Sequence, residues 1–339
     1  MFQLKKNLVA AVAMAICITS TIITSPAMAK DLKFSIFLPD GATVVQRALL
    51  PYAKKIEEVT NGELTVTPYT GSALGGGAEQ LSLVETGVAD IAFIVPSYSR
   101  GRFPVTELGL LPFAFNSGLQ GGHVLRAMYD DYMQEEYEGL QMLLLGVTAP
   151  SAILTTNVAL ASLDAMKGVK LRGTGGSQNA VLEELGINLV SLPISEGYLA
   201  MERGVIQGTI LPLSSAPGLK LEEIIKYVNE VNFSATPVLV AMNIDVWESL
   251  TPKQQEAIDA LSAEYSDILS LAYDNDVDRG RTVLAEAGAK TVNFSAEDIA
   301  TLHNMASPIW SEWIKAAKAD GMDGETIMNR FRTLIKEQE

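Results

Sequence analysis

Two stretches of this chain follow the same order: a helical run, a glycine, an apolar strand and a proline. The first runs over 78–86, Gly87, 88–95 and Pro96; the second over 195–203, Gly204, 205–211 and Pro212. Glycine commonly ends helices, so a single match would say little. Two in the same order, Glu85-Thr86-Gly87-Val88 beside Glu202-Arg203-Gly204-Val205, point to two similarly built α/β lobes. Ligands of open parallel sheets sit outside the carboxyl ends of the strands. Pro96 and Pro212 therefore mark the facing rims of one cleft.

The rest of the chain fits that frame. The strand 32–38, a helix carrying Val45, Ala48, Leu49, Tyr52, Ile56 and Val59, and the strand 63–69 form a βαβ unit, which predicts a parallel sheet. A proline-broken connector, 103–115, precedes a helical pattern at 121–136 and a buried strand at 141–147. We place the crossing into the second lobe at 148–151. There the sequence predicts a strand ending at Arg172, a helix at 177–185, a strand at 187–192 and a helix at 217–225, before the apolar strand 237–243 returns to the first lobe. Thr251-Pro252 opens a long helix with Ile258, Leu261, Tyr265, Ile268 and Ala272 on its buried stripe, running to Gly280 or beyond and long enough to span both lobes. The tail adds a strand and two or three helices packed by Trp310 and Trp313. The expected division is 30–150 with 237–272 for lobe 1 and 151–236 with 273–339 for lobe 2, joined by a hinge.

At the N-terminus Lys5 and Lys6 precede an apolar run, 8–23, and then Ala27-Met28-Ala29. This pattern predicts a Sec signal peptide over 1–29 and a periplasmic product. The one cysteine, Cys17, lies inside it, which leaves the mature chain no disulfide or thiolate chemistry. Formal net charge is −15, and −17 once the two leader lysines are removed. Such an acidic chain is a poor partner for nucleic acid or anionic membranes.

Catalytic and metal constellations are not legible. The histidines, His123 and His303, have no HExxH context, and no GxSxG elbow occurs. The glycine-rich run 71–77 lacks the Gly-Lys-Ser/Thr of a phosphate loop. Glu57-Glu58, Glu135-Glu136 and Glu183-Glu184 read as solvated helix faces. No metal, cofactor or enzymatic activity is expected. Arg172 stands apart: it closes Val169-Lys170-Leu171 and is followed by Gly-Thr-Gly-Gly, a placement suited to gripping a carboxylate. From the residues alone, a structural pairing with a nearby aspartate is an equal alternative.

The run Leu163-Asp164-Ala165-Met166-Lys167-Gly168-Val169-Lys170-Leu171-Arg172 resembles the L-x-x-x-K-G-x-K-x-R segment of the solute receptors of tripartite ATP-independent periplasmic (TRAP) transporters, of the dicarboxylate-receptor-like family. So do Leu185-Gly186, the run from Leu192-Pro193 to Met201, Gly204-Val205-Ile206-Gln207-Gly208, Leu111-Pro112-Phe113 and Leu250-Thr251-Pro252. The resemblance implies a periplasmic-binding-protein type fold whose cleft closes on an organic acid. It also implies that Arg172 meets the carboxylate with two N–H groups, and that the receptor docks on a small and a large membrane subunit driven by an ion gradient; a monomer is expected, although oligomeric state is not legible in the sequence. Competing expectations are a receptor for an ATP-driven importer or a sensor, and a periplasmic enzyme.

Departures from the family pattern bear on the ligand. Ala152 falls near the position where relatives often carry a second arginine; Ile210 and Leu211 stand where Asn or Gln often precedes the proline, and Gln207 replaces an aspartate. Phe37, Val95, Pro96 and Ile194 add apolar surface to the rims, with Thr148, Ser151, Thr174, Ser214 and Ser215 as the polar candidates. A polyhydroxy acid would leave hydroxyls unpaired there, at roughly 1–3 kcal/mol each. The expectation is a monocarboxylate with an apolar or aromatic body.

Overall fold

The computed structural model describes residues 29–338. The expected leader through Met28, with Cys17, lies outside them. In chain order the first part comprises β1 (Lys30–Ser35), α1 (Leu50–Val59), β2 (Leu64–Tyr69), α2 (Gln80–Glu85), β3 (Ile91–Ile94), α3 (Gly118–Met128) and β4 (Leu140–Val147). The chain then forms β5 (Ala152–Thr155), β6 (Lys170–Gly173), α4 (Gly176–Glu184), β7 (Asn188–Ser191), α5 (Ile194–Glu202), β8 (Gly208–Leu211) and β9 (Tyr227–Asn229). It returns through β10 (Pro237–Asn243), α6 (Ile244–Glu248), α7 (Pro252–Asp274), α8 (Val277–Glu286), β11 (Lys290–Thr291), α9 (Ala296–Ala319) and α10 (Gly324–Glu337).

Two sheets result, ordered β2-β1-β3-β10-β4 and β11-β9-β5-β8-β6-β7. Each is mixed, which corrects the expectation of parallel sheets. β1 pairs parallel with β2 and β3, but β10 runs antiparallel to β3 and β4. In the second sheet β6 pairs parallel with β7 and β8, whereas β5 is antiparallel to β8 and β9. The cause is the double crossing: β5 and β10 each enter a sheet straight from the other one and so run against their neighbours. β5 itself is a strand the sequence did not reveal; its four residues are all buried and carry no alternation.

The two crossings lie side by side. Thr148 N–H donates to Thr236 O at 2.9 Å, Ser151 N–H to Ser234 O at 2.8 Å, and Phe233 N–H to Ser151 O at 3.1 Å. This pair of hydrogen-bonded connectors is the hinge of a two-lobe α/β fold.

α7 starts as expected, with Thr251 accepting from Gln254 N–H and Pro252 in its first turn. It packs on β4, α3 and α1 and also touches the turn Leu213–Ser215 of the second lobe. The helical run breaks after Asp274 rather than continuing to Gly280: Asp276, buried, receives Arg47 at 2.5 Å and Arg279 at 3.1 Å, and α8 then turns onto the second lobe. The helix expected at 217–225 is two short turns split by Lys220, whose φ of 57° interrupts helical geometry.

The tail ties the lobes together. α9 packs on α4, α10 on α3, and the indoles of Trp310 and Trp313 donate to Pro112 O at 3.3 Å and Pro104 O at 3.1 Å in the connector between β3 and α3. His303 stacks on Phe113 with ring centres 3.9 Å apart, while His123 lies 3.0 Å from Asp267. Glu136 is not on a solvated face. It is buried and accepts from the backbone N–H of Val105 and from both N–H and hydroxyl of Thr106, so the connector's own amides hold it.

Candidate functional site

Arg172 is the penultimate residue of β6, in register with Val190 of β7 and Thr209 of β8. A position between two strands, close to their carboxyl ends, forces its side chain along the inner wall of the cleft. It is 1% exposed, the bulkiest of the fully buried side chains. Its Nε–H donates to Leu192 O at 2.9 Å, Nη1–H to Ile210 O at 3.4 Å and Nη2–H to the Tyr98 hydroxyl at 2.8 Å. All three acceptors are neutral. Among the described residues no carboxylate lies within ion-pair distance of it. The alternative of a structural aspartate pair is thereby removed, and a buried cation without a counter-ion is costly unless an anion arrives.

The guanidinium faces a cavity of about 60 Å³. Both lobes line it. Phe37 and Phe93 stack from the first lobe with ring centres 5.7 Å apart, and Phe37 meets Tyr98 edge-on at 6.0 Å. Val95 and Val238 extend that wall; Ile194, Ile210 and Leu211 face it from the second lobe, and Tyr273 at the end of α7 contributes from the side.

Of the residues singled out in the sequence, Arg172, Thr148, Thr174, Ile194, Leu211, Val95 and Phe37 line this cavity. Pro96, Ser151, Ala152 and Ser214 are buried but stand behind the lining. Pro96 opens the turn Pro96–Tyr98 that delivers Tyr98. Ser151 belongs to the hinge, and Ala152 is fixed in β5 opposite Leu211. Ser214 gives its carbonyl to the Thr43 hydroxyl at 3.2 Å. Ser215, also a candidate, does line the cavity.

Two threonine hydroxyls of the lining are engaged within the protein. Thr148 Oγ accepts from Thr236 N–H at 3.0 Å and donates to Ala149 O at 3.1 Å. Thr174 Oγ donates to Gln178 Oε1 at 2.6 Å. What remains toward a ligand is one cation, Arg172, with a few hydroxyls (Tyr98, Ser215, Thr236 and Tyr273) among aromatic and aliphatic walls, an arrangement that takes a single anionic group and a largely apolar body.

Three aromatic residues of the lining escaped the sequence reading: Phe93 in β3, and two whose surroundings matter more, Tyr98 and Tyr273. Tyr98 belongs to the first lobe, yet its hydroxyl also accepts from Ile194 N–H, at 3.1 Å, in addition to Arg172. Tyr273 is adjacent to Ala272 on the helical stripe; burial, and next the nearby Tyr98, push its phenol well above the usual range. Proximity to Pro96 and to the stripe were the only signals for either. A second, more polar space lies on the other side of Tyr98 and Thr174, bounded by Ser97, Arg100, Glu107 and Asn179. Tyr98 and Thr174 thus line both spaces. Among the described residues no cluster of His, Cys, Asp and Glu is placed to hold a metal ion, and no helix is long and apolar enough to cross a membrane.

Comparison with known proteins extends this picture. The family model for bacterial extracellular solute-binding protein, family 7 (DctP), matches residues 34–316. A TRAP solute-binding protein from a marine metagenome (an unidentified microbe), described as specific for aromatic acid ligands and solved with 3-hydroxybenzoate, is 28% identical, with a TM-score of 0.86 over 92% of this chain and 99% of that one. A TRAP periplasmic solute-binding protein from Bordetella bronchiseptica, solved with (R)- and (S)-mandelate, is 25% identical, with a TM-score of 0.84 over 91% and 99% of the two chains. The protein TsaT of Comamonas testosteroni, called an outer membrane transporter protein, is 28% identical over 293 residues, covering 83% of this chain and 85% of its own.

Proposed function

The chain belongs to family 7 of the bacterial extracellular solute-binding proteins, the DctP family of TRAP receptors, and from that premise we propose that it captures an aromatic or branched apolar monocarboxylate between its lobes. Arg172 grips the carboxylate. Phe37, Val95, Ile194 and Leu211 enclose the body, and Thr148 and Thr174 shape the wall near the anion. The observation that carries this reading is the buried Arg172 with neutral partners only, facing a cavity whose walls are mainly aromatic and aliphatic. The acids bound by the marine and Bordetella relatives are of the same chemical class.

In this reading the lobes comprise 30–150 with 237–272 and 151–236 with 273–339. Closure excludes water and strengthens the ion pair. The closed receptor, exported to the periplasm, then delivers its ligand as a monomer to a small and a large membrane subunit and performs no chemistry on it.

A thermal-shift screen of organic acids on the mature protein tests the proposal. A ligand at about 100 times its dissociation constant adds about 2.7 kcal/mol of stability. Benzoate, hydroxybenzoates, mandelate and branched aliphatic acids should raise the melting temperature most. Stabilisation by polyhydroxy acids alone would overturn the ligand class, and turnover of a bound acid seen by mass spectrometry would overturn the receptor role.

A further inference from the structure

Tyr98 sits where the two lobes meet at the arginine, and its hydrogen bonding leaves one group without a role. A phenol offers one O–H donor and oxygen lone pairs as acceptors. The Tyr98 oxygen accepts twice from the opposite lobe, from Arg172 Nη2–H at 2.8 Å and from Ile194 N–H at 3.1 Å. Its own proton is donated to no group among the described residues, while the side chain lines the cavity. Arg172 shows the matching remainder. Of its five N–H groups, three are engaged by Leu192 O, Ile210 O and Tyr98. The two left over are one on each terminal nitrogen, two donors that a carboxylate can accept.

We infer that Tyr98 is a ligand-binding residue: its hydroxyl proton goes to the same carboxylate that accepts from the free N–H groups of Arg172, so that each lobe supplies a donor to one anion. The inference rests on the carboxylate reading above. A carboxylate oxygen seated on the second N–H of Nη2 stands beside the Tyr98 oxygen, which is already 2.8 Å from that nitrogen. Accepting two N–H bonds, one from a cation, polarises the phenol and makes it a stronger donor than a free one. The first lobe thereby registers the ligand's charge through Tyr98, and the second through Arg172. Closure without an anion leaves the phenol proton and two N–H groups unused; closure around an uncharged ligand leaves most of them so.

The test compares wild type and Tyr98→Phe by calorimetry, using whichever of benzoate, 3-hydroxybenzoate and (R)-mandelate binds wild type most tightly, together with the corresponding amide measured by competition. Phenylalanine keeps the edge contact with Phe37, and an unchanged cooperative melt establishes that the variant is folded. The acid should bind Tyr98→Phe roughly 10- to 100-fold more weakly, the range for a hydrogen bond to a charged group. The amide should lose much less, so that the acid-to-amide preference shrinks. Equal losses for acid and amide would make Tyr98 a latch between lobes that does not touch the anion, and an unchanged acid affinity would remove it from the site; either result overturns the inference. If wild type binds none of the acids, the carboxylate reading itself falls, an outcome visible before any variant is made.

Discussion

Gly280, in the first turns of α8, lies against the carbonyl of Leu213: a Cβ added at Gly280 would collide with that oxygen and with the amide of Ser214 behind it. The turn Leu213–Ser215 follows β8 and leads into the cavity rim at Ser215. α8 and the ligand-facing rim are therefore docked backbone to backbone, with no side chain to yield. We predict that Gly280→Ala destabilises the protein by about 1–3 kcal/mol or more, as overpacking does, and lowers ligand affinity by displacing the rim. Thermal melts with and without ligand check both; a variant with wild-type melting temperature would show that α8 docks more loosely than the geometry states.

Arg172→Ala should cost about 2–5 kcal/mol of binding, because a carboxylate would be left buried and unpaired. Arg172→Lys should recover only part of it. An ammonium has three donors for the work of five and cannot serve Leu192 O, Ile210 O, Tyr98 and a carboxylate together. Arg172→Met separates function from fold: relief of a buried cation without a counter-ion offsets the acceptors left unpaired at Leu192 O and Ile210 O, so the unliganded protein should lose no more than about 1–3 kcal/mol while binding is abolished. Calorimetry for binding and melts for stability decide. Wild-type affinity in Arg172→Ala would end the central claim.

Leu211 lies opposite Ala152 across β8 and β5 and faces the cavity. Leu211→Asn would place an amide against the ligand body with no partner there, at about 1–3 kcal/mol for an unsubstituted aromatic acid. Acids with a well-placed hydroxyl should lose less. The ratio of affinities for benzoate and its hydroxylated derivatives, measured in both proteins, should therefore shift toward the hydroxylated ones; an unchanged ratio would mean that Leu211 does not set the ligand class.

How far the sequence carries depends on whether the signal is local. The two helix-glycine-strand-proline units, the apolar run of β10 and the capped start of α7 are local patterns, and Arg172 announced itself by its position at a strand end. Tyr98 did not, because a single aromatic in a three-residue turn has no periodicity; its meaning arises only when α5 and β6 approach from the other lobe. β5 and the antiparallel placement of β10 are consequences of strand pairing across long sequence separation. Glu136 misled for the same reason. Its neighbour Glu135 and its helical surroundings suggest a solvated face, yet the amides of Val105 and Thr106, distant in sequence, bury it.

Glu107 gives the protein a pH dependence of predictable sign. It lies in the connector after β3, with Oε2 close enough to Gly176 at the start of α4 that a Cβ there would stand 3.0 Å away. Burial pushes its carboxyl up from 4.5 to about 7, and Arg100 only partly opposes this. Glu136, which faces the same connector, is pushed to about 7 by burial against the hydrogen bonds of Thr106 and Val105, with the Glu107 charge adding to the rise. A carboxyl whose folded value is raised keeps its proton in the native state between about 4.5 and 7, where the unfolded chain has released it. The stabilisation is fully present below the unfolded value and is lost as pH rises through the folded one. Stability should thus fall from pH 5 to pH 8. Glu107→Gln, neutral throughout, should flatten that slope by about 1–3 kcal/mol and be more stable than wild type at pH 8. Chemical denaturation at a series of pH values measures it, and a wild-type profile that rises over this interval, or a glutamine variant with an unaltered slope, would show that Glu107 is ionised in the folded protein after all.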